Sequence, residues 1–195
     1  MVLSRLWLAG QRVVRDSAPP PPRDGWTLER HQAAAIDWLC RAQDVAGDGG
    51  VSAGFHLKDG WLPSYPETTG YIACTFFDQA DARVRPDLER RAWRMIEWLL
   101  TRQLDSGAFP GQFGRRSRGP VVFNTGQVLL GLVRASERDH SRQEIRDAAV
   151  RAAGWLCQTM DSDGVWRRHT HEGVIHSYNS RTAFAMLRCW QLCGD

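Results

Sequence analysis

At 195 residues and 43% hydrophobic content the chain carries enough apolar material for one sizeable core, and 25 basic against 22 acidic residues leave a formal charge of +3. The basic residues are interspersed with acidic ones, which argues against a nucleic-acid surface, and the apolar run at the start is too short for a secretory signal or a membrane span. Five cysteines, an odd number without paired metal-type spacing and mostly in apolar helical stretches, are expected to be reduced core thiols of a cytoplasmic protein.

In chain order, residues 1–16 suit a short amphipathic helix, and Pro19–Pro22 then stiffen the chain into an extended segment. A boundary follows: 1–24 form an N-terminal helix and Pro-rich linker, and 25–195 form a repeat domain with units at 27–82, 86–137 and 141–193. The units are defined by recurring landmarks. Trp38, Trp98 and Trp155 each open a Trp-Leu pair, about 60 residues apart. Gln43, Gln103 and Gln158 follow, then a glycine with an apolar residue after it: Gly50-Val51, Gly107-Ala108-Phe109 and Gly164-Val165-Trp166. The third landmark is a small polar residue opening a second apolar run, at Thr68, Asn124 and Asn179.

The first helix of each unit has apolar residues at three-and-four spacing, as in Leu88, Ala92, Trp93, Met95, Ile96, Leu99 and Leu100. Pro86 suits the first turn of the second unit's helix, and Ser141 with Glu144 suits a capping box for the third. The second helix of each unit is apolar around more of its circumference and is expected to lie inside. Outer helices are expected around Trp38, Trp98 and Trp155, and inner helices from near Pro66, Asn124 and Ser177. The fold class is then all-α, three helical hairpins forming a partial alpha/alpha toroid. Six helices close about half a ring, so a homodimer or a partner chain is expected to complete it, unless Leu3, Leu6, Trp7 and Leu8 fold back over the open side.

The stretch Gln103-Leu104-Asp105-Ser106-Gly107-Ala108-Phe109 resembles the Gln-x-x-x-Gly-x-Phe/Trp repeat of terpenoid cyclases and protein prenyltransferase beta chains, which implies the toroid fold; Gln158–Trp166 and Gln43–Val51 are looser matches. Protonating cyclases of that group use an Asp-x-Asp-Asp run, and Asp161-Ser162-Asp163-Gly164 is one carboxylate short of it. The prenyltransferase zinc set of Asp, Cys and His has no counterpart. A second resemblance rests on Tyr65-Pro66-Glu67-Thr68-Thr69-Gly70-Tyr71 and Asn124-Thr125-Gly126-Gln127, which look like inner-helix starts of glucuronyl epimerase-like toroid domains of polysaccharide-active enzymes. That resemblance implies uronic-acid or other sugar chemistry.

In a toroid the inner-helix starts converge at one end, where helix dipoles favour anionic or hydroxyl-rich ligands. Glu67, Tyr65, His176 and Tyr178 are the candidate catalytic residues, and Trp61, Tyr71, Asn124, Gln127, Asn179 and Arg181 the candidate binding residues. Burial among Trp61, Tyr65 and Tyr71 would raise the Glu67 pKa and suit it to acid-base work; otherwise it is a first-turn carboxylate stabilised by the helix dipole. Tyr65 and Tyr178 either donate protons and stack on a sugar or simply pack, and His176 is a proton shuttle or a structural histidine. Thr68, Asn124 and Asn179 are explained by capping, the three tryptophans by core packing, and Arg181 by either a bound carboxylate or a surface ion pair. His169, His171 and His176 with Asp161 and Asp163 match no ligand template, so no metal and no cofactor is expected. The leading reading is a carbohydrate-active protein acting on or binding an acidic or hydroxylated sugar chain, with a lyase, epimerase or hydrolase activity if it is an enzyme. The rivals are an isoprenoid-handling protein of the cyclase and prenyltransferase kind, and a non-catalytic repeat module that binds a protein partner.

Overall fold

The computed structural model describes Gly25 and residues 27–83, 85–111 and 119–194. The expected N-terminal helix and linker at 1–24 lie outside these residues. Within them the chain is all-α. Six helices run over Leu28–Asp44 (α1), Pro66–Arg83 (α2), Pro86–Leu100 (α3), Val122–Arg138 (α4), Gln143–Thr159 (α5) and Ser180–Cys193 (α6). The one sheet among the described residues is a two-residue hairpin, Phe55–His56 (β1) antiparallel to Gly60–Trp61 (β2).

The hairpins stack so that α2, α4 and α6 form an inner row, α4 between the other two, while α3 packs on α2 and α5 on α4. Close approach within that row depends on missing side chains. A Cβ on Gly70 would stand 2.6 Å from the Gln127 carbonyl oxygen, one on Gly131 2.6 Å from the Gly70 carbonyl oxygen, and one on Gly126 2.6 Å from the Thr182 hydroxyl. α4 is buried around most of its circumference, from Val122 to Ser136, as expected of an inner helix. The outer helices are one-sided: α3 buries Leu88, Ala92, Met95, Ile96 and Leu99 and turns Arg90, Arg94 and Glu97 to solvent.

Two of the three repeat glutamines tie neighbouring segments together. Gln43 Nε2 donates to the carbonyls of Gly49 and of Arg91 in α3, both at 3.0 Å. Gln103 Nε2 does the same to Gly107 at 2.9 Å and to Ala148 of α5 at 2.8 Å. Each glutamine therefore ties its own loop to the next unit's outer helix. The comparison corrects one landmark: the counterpart of Gly107 is Gly49 and not Gly50, and both adopt the left-handed φ, +99° and +90°, that turns the carbonyl toward the glutamine. A second repeated bond was not anticipated. Val51 N–H donates to the Thr69 hydroxyl (2.9 Å) and Phe109 N–H to the Thr125 hydroxyl (3.0 Å), fastening each loop to its inner helix.

Trp98 and Trp155 are buried and Trp38 is half-buried against Trp61; Trp38 lies near the centre of α1, as expected, but Trp98 and Trp155 lie toward the C-terminal ends of their helices. Trp98 covers Gly50 of the preceding loop and donates through Nε1 to Asp48 at 3.0 Å. Pro86 opens α3 as expected. The Ser141/Glu144 capping box does not form: Ser141 bonds Asp139 and Glu144 pairs with Arg142, which leaves α5 without a side-chain cap. The cysteines are free, as expected, yet Cys157 is exposed, because it falls on the solvent side of amphipathic α5; Cys189 is buried, and burial pushes its thiol up to about 12.

Candidate functional site

The starts of α2, α4 and α6 lie side by side because the inner helices are neighbours in the row. Tyr65, just before α2, is buried, and its hydroxyl accepts from Asn124 Nδ2 of α4 at 2.7 Å; the same amide also donates to the Pro110 carbonyl at 3.2 Å. The Tyr65 hydroxyl in turn bonds the Glu67 carboxylate. A relay from Asn124 through Tyr65 to Glu67 therefore links two inner helices that are more than fifty residues apart in sequence. Burial pushes the Glu67 pKa up, and the Tyr65 bond, which favours the ionised form, offsets part of that rise.

Two further phenols surround this carboxylate. Tyr71, half-buried one helical turn along α2, has its pKa raised by burial and then by Glu67, with Arg181 acting in the opposite direction. Tyr178, at the start of the third inner helix, is raised by burial and again by Glu67. Its ring lies edge-on to Phe123 (centroids 4.7 Å, 72°) and stacked on His176 (4.5 Å, 12°), whose Nε2 is 2.9 Å from the His171 carbonyl oxygen. Arg181 Nε donates to Gln127 Oε1 at 2.6 Å, joining α6 to α4. The other atom of that amide, Gln127 Nε2, is buried without a partner, as are both side-chain polar atoms of Asn179.

Tyr65, Glu67, Tyr71, Asn124, Gln127, Tyr178 and Arg181 are thus connected through bonds or electrostatic contact, with His176 attached through Tyr178. Trp61 takes a different place. It sits on β2 and packs on Trp38 (4.7 Å) and Phe55 (5.3 Å), because the hairpin turns it toward α1. The capping explanation also fails for all three landmark residues. Thr68 donates to the Val51 and Tyr65 carbonyls, Asn124 reaches Tyr65, and Asn179 makes no cap bond. Phe123 was missed by sequence reasoning; its position beside Asn124 at an inner-helix start was the available signal.

No group of three or more His, Cys, Asp or Glu able to hold a metal occurs among the described residues. Asp161 and Asp163, the partial acidic run, both accept from Arg167 at the surface, and that guanidinium holds Asp163 below the usual carboxylate range. They are spent on an ion pair. No helix among the described residues is long and apolar enough to cross a membrane.

The geometry defines a stack of helical hairpins with a carboxylate and several phenols gathered where the inner helices begin. A search of curated proteins matches the chain to a squalene hopane cyclase of Aspergillus fumigatus, 29% identical over 146 residues. The match spans 71% of this chain and only 18% of that protein's length. No protein-family profile and no solved structure matches. The likeness lies on the terpenoid cyclase side of the two resemblances in the sequence, and nothing comparable supports the glucuronyl epimerase side.

Proposed function

We propose that the chain is a terpenoid-cyclase-like, toroid-type helical domain that holds an isoprenoid against the inner-helix starts, with Glu67 as the group that exchanges a proton with it. The observation that carries this reading is the Asn124–Tyr65–Glu67 relay beside the rings of Tyr71, Tyr178 and Phe123. A carboxyl group whose pKa is raised by burial keeps its proton closer to neutral pH, and aromatic faces stabilise the cation that forms when an alkene is protonated. The likeness to a squalene hopane cyclase supports the choice of an isoprenoid. Asp161 and Asp163 are poor candidates for the acid, since both pair with Arg167.

A second reading, binding of an acidic or hydroxylated sugar chain, is favoured by one observation: Tyr65, Asn124, Gln127 and Arg181 all present hydrogen-bonding groups at the same place. Thermal shift with squalene and farnesol beside uronic-acid oligosaccharides separates the two. Stabilisation by the prenyl compounds alone, with Glu67→Gln keeping that stabilisation but forming no cyclised product by gas chromatography, is the expected result. Stabilisation by the oligosaccharides alone transfers the site to the sugar reading.

A further inference from the structure

From the Arg181 side of this cluster a groove of about 420 Å³ runs along the inner helices. Its middle is apolar, made by Cys74 of α2, Leu130 and Val133 of α4 and Phe184 of α6. Burial there pushes the Cys74 thiol up to about 12. The three helices supply the lining by regular spacing, Cys74 with Asp78, Leu130 with Arg134, and Phe184 with Arg188, each one turn apart.

The charges at the two ends differ. At the far end Arg134 donates to Asp78 through Nε and Nη2 (3.0 and 2.8 Å), and Arg188 donates to Glu137, so two cations meet two carboxylates. At the near end Arg181 pairs with no carboxylate among the described residues; its Nε is held by the neutral Gln127 amide, which fixes the plane of the guanidinium and leaves the terminal nitrogens for another acceptor. A cation of this kind at the end of an apolar groove is complementary to an amphiphile whose head is negative.

We propose that the groove takes the chain of an isoprenoid carboxylic acid, with Arg181 binding the carboxylate and Leu130, Val133 and Phe184 covering the hydrocarbon. This rests on the isoprenoid reading and names the class of ligand for it. Arg181 and Arg188, at the two ends of the groove, stand two turns apart on α6, about 10 Å by helix rise, which suits a short prenyl chain. One guanidinium matches one negative charge, and the other two cations of the groove, Arg134 and Arg188, are already paired with Asp78 and Glu137, which leaves no second cation for a head carrying two or three charges. A carboxylate is therefore preferred over a phosphate or diphosphate.

Calorimetric titration of the full chain with farnesoic acid, farnesol and farnesyl phosphate tests the assignment. The acid is expected to bind at least ten times more tightly than the alcohol and more tightly than the phosphate. Arg181→Met should remove the preference for the acid while leaving the alcohol within twofold, and Phe184→Ala should weaken acid and alcohol alike by about fivefold, since that exposed ring contributes to apolar cover alone. Equal affinity for acid and alcohol in the unchanged protein, survival of the preference in Arg181→Met, or tighter binding of the phosphate overturns the proposal. If Arg181→Met does not fold by circular dichroism, Arg181→Gln is read by the same ratio. The two levels of failure are distinct. Farnesyl compounds that all bind alike defeat the carboxylate assignment only, whereas no farnesyl binding together with oligosaccharide binding defeats the isoprenoid reading beneath it.

Discussion

Single side chains in this protein do work that their exposure makes visible. Gln103 is half-buried and satisfies two backbone carbonyls, whereas Gln158, its counterpart in the third unit, is exposed. Gln103→Ala strands the buried Gly107 carbonyl and removes the tie to Ala148, whose carbonyl keeps its helical partner, and is expected to cost about 1–3 kcal/mol, while Gln158→Ala should stay within about 0.5 kcal/mol. Urea unfolding of the two variants side by side measures the difference; equal losses would mean that the bridge does not hold the units together. Glu67 gives a pH-dependent counterpart. Its folded pKa lies above the ordinary value of 4.5, so the folded chain binds the proton more tightly than the unfolded chain does. The contribution to stability is full below that ordinary value and is lost as pH rises through the folded value. Glu67→Gln should therefore raise the melting temperature relative to the unchanged protein at pH 7.5 and lose that advantage near pH 4; an advantage independent of pH would refute the burial argument.

Among the elements, the contact of α2 with α4 is the most sensitive. Helix propensity alone makes Gly131→Ala favourable by about 1 kcal/mol in the middle of α4. Packing opposes it. The added carbon would stand 2.6 Å from the Gly70 carbonyl oxygen, backbone that cannot turn aside, and overpacking of this kind costs about 1–3 kcal/mol. Net destabilisation in chemical denaturation is the expected outcome, and stabilisation would show that the inner row can spread. At this scale the expected helices agree with the structure. α2 begins at Pro66, α4 two residues before Asn124, and the third inner helix as a short 3-10 turn at Ser177–Asn179 that leads into α6. The sequence periodicity marks these helices well because each must bury an apolar face whatever its neighbours are.

For the whole molecule, completion of the ring by a second copy stands as a proposal. α6 leaves Leu187 and Trp190 exposed at one-turn spacing on its outer flank, the kind of stripe that association buries. Sedimentation equilibrium of the full chain should give a mass above 22.1 kDa that falls toward that value in Trp190→Glu. A compact monomer of the unchanged chain over a wide concentration range would argue against it.

The sequence by itself determined the all-α class and the positions of the helices. Gln43 with Gly49 and Gln103 with Gly107 recur because each ties its loop to the outer helix that follows, whereas the third glutamine, Gln158, is exposed. Convergence of Tyr65, Glu67, Asn124, Tyr178 and Arg181 was legible for the same reason: equivalent positions in stacked repeats come to one end. Only the tertiary structure decided how those side chains are used. Asn124 has the composition of a helix cap, but a buried amide bonds whichever acceptor lies nearest, and here that is Tyr65 from the neighbouring unit. Trp61 has the composition of a site residue, yet the β1–β2 hairpin carries its ring to Trp38. The groove beside Arg181 is shared by three helices, none of which contains more than one side of it, so it exists only once α2, α4 and α6 are set side by side.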